Sequence, residues 1–390
     1  MRQLLARPAL AALAASALLL AACGGGGGGG EAGGGGATTS ASFAGVCTLE
    51  GQKQFARAYL GETYLWYDEI REVDPALYAN LPDYFDALLV RTPDANGLPK
   101  DRYSTVLPTG QGNRLGDVLK DHTDAVPVTR VVDSPGGRRA GYLQFNHHDA
   151  GAQDDLITAF RQLRDEAVQD LVLDLRLNSG GFLYVALAAA SMVAGPAAED
   201  KVFEQLRYND QRADLTAAST LRFSSRLQFA ETQYAGGSRL PQLDLPRVYV
   251  LASGQTCSSS ESIVNGLRGI DVQVILVGDT TCGKPYGFSR RDNCGHAYFP
   301  IEFEGANAKG SSGYTAGFQP TCRVEDDPDT AAGSSRDPLL RAALAHADTG
   351  ACPAASVRSA QRSASASLAA TPARQPTRPA WAGRLLRDQR

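Results

Sequence analysis

The stretch that most constrains the fold is residues 170–175, which read Asp-Leu-Val-Leu-Asp-Leu. A short and nearly continuous apolar run of this kind is typical of a parallel strand buried on both faces. A second strand pattern precedes it at 140–145, and residues 149–169 between them have apolar side chains at helical spacing. A Gly-Gly turn and another helical pattern, at 182–193, follow. This order of strand, helix, strand, turn and helix predicts an α/β fold with parallel strands.

Further elements are predicted on both sides of this unit. Downstream, the strand pattern at 247–252 leads into a serine cluster and a helix, and another strand pattern follows at 272–277. The remaining predicted elements are helices at 52–72, 83–90 and 337–346 and strands at 126–132 and 298–303. The aromatic residues of the first two helices are expected to pack into a small helical core rather than to form a ligand platform.

Neither end of the chain has the pattern of a globular segment. Residues 1–22 contain two arginines, an apolar Ala/Leu run and small residues before Cys23, as in a bacterial lipoprotein signal. The apolar run is short for a membrane span, which takes about 20 residues. We therefore expect Cys23 to carry a lipid, followed by a flexible glycine-rich tether. The basic residues 353–390 are expected to be a disordered tail, with contact to an anionic lipid surface or cell wall as the alternative.

Six cysteines remain once Cys23 is set apart, and an even number suits an oxidising compartment and up to three disulfides. Spacing does not determine the connectivity. The local pairs would be Cys282 with Cys294 and Cys322 with Cys352, which leaves Cys47 to reach Cys257. A zinc site is the competing interpretation, but no tight CxxC pair accompanies His296. We expect no metal, no cofactor and no nucleic-acid partner.

The candidate chemistry lies in the serine cluster that begins at Ser258 and in the Gly-Lys pair that ends at Lys284. A hydroxyl at a helix N-terminus near a strand-end lysine is the arrangement that a Ser/Lys nucleophilic pair requires. Each feature also has a structural interpretation. Ser258 and Glu261 have the spacing of a capping box, and Asp174 with Arg176 is typical of a salt bridge.

Three motifs, in order along the chain, resemble those of the C-terminal processing (tail-specific) proteases, a family of Ser/Lys-dyad serine peptidases. The family segments Asp-Leu-Arg-x-Asn-x-Gly-Gly, Thr-Ala-Ser-Ala-Ser-Glu and Val-Gly-Glu-x-Thr-x-Gly-Lys correspond here to 174–181, 256–261 and 277–284. The resemblance covers residues 140–303 well, the N-terminal helices loosely and the two ends not at all. It implies an α/β spiral core of the ClpP/crotonase type with a small N-terminal helical subdomain.

The resemblance also implies roles for the site residues. Ser258 would be the nucleophile and Lys284 the general base of a serine endopeptidase that cleaves exported proteins or peptides through an acyl-enzyme. Backbone N–H groups of Gly180, Gly181 and Ser259 would form the oxyanion hole. Because only a neutral lysine can accept the serine proton, the lysine pKa must fall from about 10.4 to about 7–8, which requires an enclosed site.

Two departures from the family pattern stand out. Phe288 occupies the position, four residues after the lysine, where the family commonly has a glutamine that orients it. Residues 105–138 occupy the usual place of a PDZ domain but lack a PDZ glycine-loop signature, so the tail-specific label is not carried over. A Ser/His pair using His147 or His148 is the competing catalytic scheme. A catalytically inactive binding module on the same scaffold is the competing function.

The predicted organisation follows from these observations. Its segments are a signal peptide (1–22), a tether (23–46), a helical subdomain (47–104), an irregular segment (105–138), a serine peptidase core (139–352) and a tail (353–390). The expected setting is the bacterial cell envelope, with the protein bound to the membrane through Cys23 and facing the periplasm.

Overall fold

A computed structural model describes residues 39–118 and 125–353. The predicted signal peptide, Cys23, most of the predicted tether and the predicted tail after residue 353 lie outside the described residues. Within the described ranges, every helix is either too short or too polar to cross a membrane.

The secondary structure alternates helices and strands along most of the described chain. The helices are α1 (Leu49–Thr63), α2 (Leu81–Leu88), α3 (Thr109–Val118), α4 (Ala152–Asp165), α5 (Leu183–Val193), α6 (Ala213–Ala218), α7 (Ser259–Gly269) and α8 (Pro338–Thr349). The strands are β1 (Thr105–Pro108), β2 (Val128–Asp133), β3 (Arg139–Gln144), β4 (Asp170–Asp174), β5 (Val202–Tyr208), β6 (Thr220–Arg222), β7 (Arg247–Ala252), β8 (Gln273–Gly278), β9 (Tyr286–Gly287), β10 (Arg291–Asn293), β11 (His296–Phe299), β12 (Phe303–Ala306) and β13 (Cys322–Arg323).

The central sheet has the strand order β13-β8-β7-β4-β3-β2. β2 is antiparallel to β3, and the other neighbours are parallel. β4 is buried along its whole length, as expected for a parallel strand that is covered on both faces. Because β4, β7 and β8 lie side by side and run parallel, the loops that follow them meet at one edge of the sheet.

Both faces of this sheet are covered. On one face, apolar side chains of β3, β4, β7 and β8 pack with α4, α5 and α7 and with the N-terminal helices α1 and α2 in one continuous core. On the other face, Tyr142, Tyr249 and Ile275 pack against α8. Burying each large apolar side chain stabilises the fold by about 1.5–3 kcal/mol. The predicted α/β fold with an N-terminal helical region is confirmed.

Two smaller antiparallel sheets have the strand orders β6-β5-β12-β9 and β1-β11-β10. The single strand predicted at 298–303 is wrong, because β11 and β12 are separate strands that belong to different sheets. Pro300 stands between them and has no N–H to donate to a strand ladder. β1 pairs with β11 in register Thr105↔Phe299, which ties the N-terminal region to the second half of the chain.

The predicted helix at 52–72 is too long. α1 ends at Thr63, and the N–H of Leu65 donates to the carbonyl of Ile301 at 2.8 Å instead of continuing the helical ladder. The apolar spacing continues past this point because Tyr67 and Ile70 still pack against the core. A tertiary hydrogen bond therefore ends the helix within a pattern that looks helical.

Within the described residues, disulfides join Cys47 to Cys294, Cys257 to Cys282 and Cys322 to Cys352. The predicted Cys322–Cys352 pair is confirmed, and the predicted Cys282–Cys294 and Cys47–Cys257 pairs are wrong. The physical reason is the topology of the central sheet. Cys257 and Cys282 follow the adjacent parallel strands β7 and β8, whereas β9 and β10 carry the chain away before Cys294.

Candidate active site

Ser258 lies in the loop after β7, directly before α7. Its side chain is fully buried, and its backbone has φ 59° and ψ −116°, outside the regions that L-residues usually adopt. Such strain costs on the order of 1–3 kcal/mol and persists only where the surroundings enforce it. Ser258 and Glu261 form the capping box that their spacing predicted, with the Glu261 carboxylate accepting the N–H of Ser258. The loop therefore holds a buried hydroxyl in a strained conformation at a helix N-terminus.

The turn after β4 is bonded to this serine loop. The N–H of Cys257 donates to the carbonyl of Asn178 at 3.1 Å, and the Ser260 hydroxyl donates to the same carbonyl at 3.0 Å. The Ser259 hydroxyl donates to the carbonyl of Gly181 at 2.7 Å. These bonds place the Gly-Gly turn directly beside the serine cluster.

Both residues of the Gly-Gly turn have to be glycine. Gly180 has φ 95° and Gly181 has φ 146°, in the region that favours glycine. A Cβ at Gly180 would lie 2.9 Å from the Cβ of Ser258 and 3.0 Å from the nitrogen of Ser259. A Cβ at Gly181 would lie 2.5 Å from the carbonyl oxygen of His148. The missing side chain at Gly180 lets the turn contact the serine loop.

The three backbone donors predicted for an oxyanion hole have different surroundings. The N–H of Gly180 donates to Oδ1 of Asn178 at 3.0 Å and is used within the turn. Ser259 is the first residue of α7, so its N–H has no acceptor within the helix. No hydrogen bond between described residues uses the N–H of Gly181. Within residues 39–118 and 125–353, the N–H groups of Gly181 and Ser259 are therefore the two of these three donors that have no acceptor.

Lys284 lies in the loop after β8, and its side chain is fully buried. Burial lowers the pKa of its ammonium to about 7, although the carboxylates of Asp101 and Glu261 act in the opposite direction. Its Nζ lies 5.0 Å from the centre of the Tyr103 ring and 4.8 Å from the centre of the Phe288 ring. These two rings help to form the enclosed environment that a neutral lysine requires.

Tyr103 comes from the N-terminal region, just before β1. Its hydroxyl donates to the carbonyl of Gly283 at 3.2 Å, and burial raises the pKa of this hydroxyl to about 12, so it stays protonated. Arg102 donates to the same carbonyl at 3.3 Å and to the carbonyl of Thr315 at 3.0 Å. The N-terminal region therefore forms part of the wall around Lys284.

Glu261, in the first turn of α7, connects the serine loop with the lysine loop. Its Oε2 accepts the N–H groups of Ser258 at 2.9 Å and Lys284 at 2.8 Å. Its Oε1 accepts the hydroxyl of Thr281 at 2.5 Å and the N–H of Gly283 at 2.9 Å. Burial raises the pKa of this carboxyl, and its hydrogen bonds oppose the rise. Because one oxygen accepts both N–H groups, the backbone nitrogens of Ser258 and Lys284 are no more than about 6 Å apart.

A buried ion pair supports the start of the Gly-Gly turn. Arg176 lies 2.9 Å from the carboxylate of Asp174 and 2.6 Å from that of Asp337, which caps the N-terminus of α8. The predicted Asp174–Arg176 salt bridge is confirmed. It fixes the end of β4 against α8, on the side of the sheet away from α7.

The two histidines of the competing catalytic scheme follow β3. Nδ1 of His148 lies 3.0 Å from Oδ1 of Asn178, and its ring centre lies 4.5 Å from that of Phe145. The N–H of His148 donates to the carbonyl of Gly180 at 3.3 Å. Nδ1 of His147 lies 3.1 Å from Oδ2 of Asp149. These contacts place His148 in support of the turn.

Two groups of possible metal ligands come within 4.8 Å in the described residues, and each contains a disulfide. They are Cys257 and Cys282 with Glu261, and Cys322 and Cys352 with His346. The thiolate is the form of cysteine that binds metals. With the sulfurs oxidised, neither group has the ligands of a zinc site.

Sequence reasoning located Ser258, Lys284 and the Gly-Gly turn, and the structure brings their loops together. The sequence indicated Glu261 only as a capping residue. The three-residue spacing from Ser258 to Glu261 was the feature that could have linked Glu261 to the site. Sequence reasoning did not identify Asn178 or Tyr103 as site residues. Asn178 lies inside the first motif, whereas nothing in the sequence around Tyr103 pointed to the site.

An α/β fold whose strand-end loops bring together a buried serine, a glycine turn and an enclosed lysine is characteristic of serine peptidases. The chain belongs to peptidase family S41. The sequence model of this family matches residues 139–293, and that of the S41 N-terminal domain matches residues 51–105. Together the two matches span more than half of the chain.

Individual relatives agree with this assignment. The carboxyl-terminal-processing protease of Picosynechococcus sp. (strain ATCC 27264 / PCC 7002 / PR-6) is 28% identical over 171 residues, which are 44% of this chain and 35% of that protein. The matched region thus spans about a third of that relative. A Bacteroides fragilis NCTC 9343 protein assigned to the S41 proteases has a solved structure with a TM-score of 0.59 and 19% identity. This match covers 76% of the present chain and 97% of that one, and it shows a shared fold.

Proposed function

We propose that this protein is a serine endopeptidase in which Ser258 is the nucleophile and Lys284 is the general base. The observation that carries the proposal is the fully buried Lys284, whose loop and that of Ser258 are bound to the same oxygen of Glu261. A pKa near 7 suits a group that must accept a proton and return it at neutral pH.

The proposed reaction begins with attack by Oγ of Ser258 on the scissile carbonyl carbon, while neutral Lys284 takes the hydroxyl proton. Catalytic hydrogen bonds often close only in the substrate complex, and we expect the bond between these two side chains to do so. The Lys284 ammonium then donates the proton to the leaving amine. A water molecule then attacks the acyl-enzyme carbonyl while Lys284 takes its proton, and the ammonium returns this proton to Oγ of Ser258 as the acyl group leaves.

The developing oxyanion would be stabilised by the N–H groups of Gly181 and Ser259. Both remain available for a ligand, and the N-terminal end of α7 favours negative charge at this position. Gly180 has a different role, because its lack of a side chain lets the turn lie close to Ser258. Its own N–H donates to Oδ1 of Asn178. Removing one such donor typically lowers the rate by about 10²–10³-fold.

The rings of Tyr103 and Phe288 have two opposing effects on Lys284. They exclude water, which disfavours the charged amine, and their faces attract the ammonium when it forms. Phe288 therefore encloses the base where the family's glutamine would bond to it.

The proposal is tested by cleavage of an unfolded protein such as casein across pH 5–10. The wild-type rate is expected to be low at acid pH, to rise through about pH 7 as Lys284 loses its proton, and then to level off. Ser258→Ala is expected to lose the activity. Ser260→Ala is the matched control, because it removes a neighbouring hydroxyl that donates to the carbonyl of Asn178 in the turn, and its loss of activity should be smaller.

Three outcomes would contradict the proposal. Activity that survives in Ser258→Ala would overturn the assignment of the nucleophile. A rate that does not change between pH 5 and pH 10 would overturn Lys284 as the base. A wild-type protein that cleaves none of a broad panel of unfolded substrates would favour a binding module on the same scaffold.

We further propose that the protein acts on exported proteins or peptides in the bacterial cell envelope, anchored by a lipid on Cys23. Disulfides of the described residues support this setting, because such bonds persist in oxidising compartments. Metabolic labelling with a fatty acid should mark the wild type and not Cys23→Ser. Equal labelling of both would contradict the anchor.

A further inference from the structure

We propose that the Cys257–Cys282 disulfide is a positioning clamp for the catalytic pair, an inference that rests on the proposed function. Cys257 directly precedes Ser258, and Cys282 lies two residues before Lys284. The Cα atoms of the two cysteines are 5.1 Å apart. The bond therefore joins the loop of the nucleophile covalently to the loop of the base. Cys257 stands where the family segment has alanine, so the clamp is a departure of this chain from that pattern.

The conformation of Ser258 shows why a clamp matters here. Its positive φ is maintained only while the residues on either side are held. On the N-terminal side, the N–H of Cys257 donates to Asn178 and its carbonyl accepts the N–H of Ser260 at 3.1 Å. These two bonds hold Cys257 to the turn and to α7, but neither reaches the lysine loop. The disulfide supplies that connection.

Hydrogen bonds also connect the serine loop with the lysine loop. The N–H of Cys282 donates to the carbonyl of Thr256 at 3.0 Å, and Glu261 accepts the N–H groups of Ser258 and Lys284. Hydrogen bonds of this kind open and close as a loop fluctuates, whereas the covalent bond stays closed. The disulfide therefore limits the distance that the two loops can separate when substrate enters a site whose serine and lysine are both fully buried.

The clamp also makes the site sensitive to reduction. Cys257 is buried, but Cys282 is only partly buried, so a reductant can reach the bond from that side. A dithiol reductant would transfer two electrons and two protons to the sulfurs, leaving two free thiols and a cyclic disulfide of the reductant. The peptidase would then work fully only in an oxidising compartment.

The test compares the double variant Cys257→Ala/Cys282→Ala with the control Cys322→Ala/Cys352→Ala. The two disulfides have sequence separations of 25 and 30 residues, so loop-closure entropy predicts nearly equal losses of stability. The control bond joins β13 to the residues after α8 and lies outside the proposed catalytic machinery. Ser258→Ala in the wild-type background is measured in the same casein assay.

We expect the clamp variant to lose about 10- to 100-fold in kcat beyond the control, because small misplacements of catalytic groups have effects of this size. We also expect the midpoint of its pH–rate profile to move to higher pH, because a less enclosed Lys284 would ionise more like a free lysine. A purely structural disulfide would not move this midpoint. A kcat and midpoint equal to those of the control would overturn the clamp alone, whereas activity in Ser258→Ala would overturn the proposed function.

A second measurement keeps the clamp testable if the double variant does not fold. Native wild-type protein is treated with increasing dithiothreitol, activity is read at each step, and the free thiols are then alkylated and located by mass spectrometry. Activity should fall as the Cys257–Cys282 bond is reduced, and it should return when the bond is reoxidised. Full activity while this pair is reduced would overturn the proposal.

Discussion

Replacing Lys284 by methionine is expected to remove most peptidase activity and, at neutral pH, to stabilise the fold. General-base catalysis typically contributes 10²–10⁴-fold, so kcat should fall by about that factor. Methionine has a similar length and would fill the space between the rings of Tyr103 and Phe288. Enzyme activity and stability should therefore change in opposite directions at this position.

The stabilisation follows from the pKa of Lys284, which is about 7 in the folded protein and 10.5 for the free side chain. Between these values the unfolded chain binds the proton more tightly, so the lysine destabilises the fold there. The penalty is absent above pH 10.5, grows as the pH falls and is complete below pH 7. Its full size is on the order of 5 kcal/mol. The gain from Lys284→Met should accordingly be largest near pH 7 and shrink towards pH 10.

Denaturant unfolding at pH 7 and pH 10, combined with casein cleavage, checks this prediction. Lys53→Met is the matched control, because Lys53 is also buried and its ammonium donates to the carbonyls of Pro75 and Tyr78 at 2.5 and 2.7 Å. Its loss leaves those carbonyls unpaired, so the control should be less stable while keeping its activity. A Lys284→Met protein that is less stable than wild type at pH 7 would contradict the enclosed neutral amine.

The parts of the fold that the sequence predicted well are those encoded by local pattern. Residues 247–252 and 170–175 are apolar runs bounded by turn residues, and they form β7 and β4 with boundaries that agree within one residue. Ser258 and Lys284 were predicted as site residues because each lies in a motif that follows such a strand. The structure brings the two loops together, as motif order and strand pattern predicted.

The residues that were missed depend on contacts between distant parts of the chain. Tyr103 reaches Lys284 because β1 pairs with β11, a long-range antiparallel pairing that no local periodicity encodes. Cys257 meets Cys282 because β7 and β8 are adjacent, although Cys294 is closer to Cys282 in sequence. Such contacts become apparent only once the sheet order is known.

Phe288 shows how a departure from a motif is interpreted differently once its surroundings are known. The sequence indicated only that Phe288 has no side-chain group that could orient Lys284 through a hydrogen bond. In the structure its ring is fully buried and lies 4.8 Å from Nζ of Lys284, so it acts on the proposed base by excluding water. The backbone of the lysine is fixed by Glu261, which accepts its N–H at 2.8 Å.

Glu261 should therefore be the residue outside the proposed catalytic pair whose replacement has the largest effect. Its two oxygens accept four hydrogen bonds, so a glutamine, with one acceptor and an NH₂ group, cannot satisfy the same donors. Because the Thr281 hydroxyl can rotate to accept, the amide should turn its NH₂ group towards Thr281 and Gly283. This leaves two buried donors without their acceptor, the N–H of Gly283 and the hydroxyl of Thr281, at a cost of about 1–3 kcal/mol for each.

Alanine at this position leaves all four donors without an acceptor. We expect Glu261→Ala to lose more than 4 kcal/mol in the free energy of unfolding and at least about 100-fold in kcat, with Glu261→Gln between it and the wild type. Denaturant unfolding and casein cleavage at pH 8 measure the two effects. Asp170→Asn is the control, because Asp170 is a buried carboxylate that pairs with Arg138 and Arg247 at the end of β4 opposite the Gly-Gly turn. It should lose stability without a matching loss of kcat. If Glu261→Gln kept the activity of this control, the carboxylate would only stabilise the fold and would not position Ser258 against Lys284.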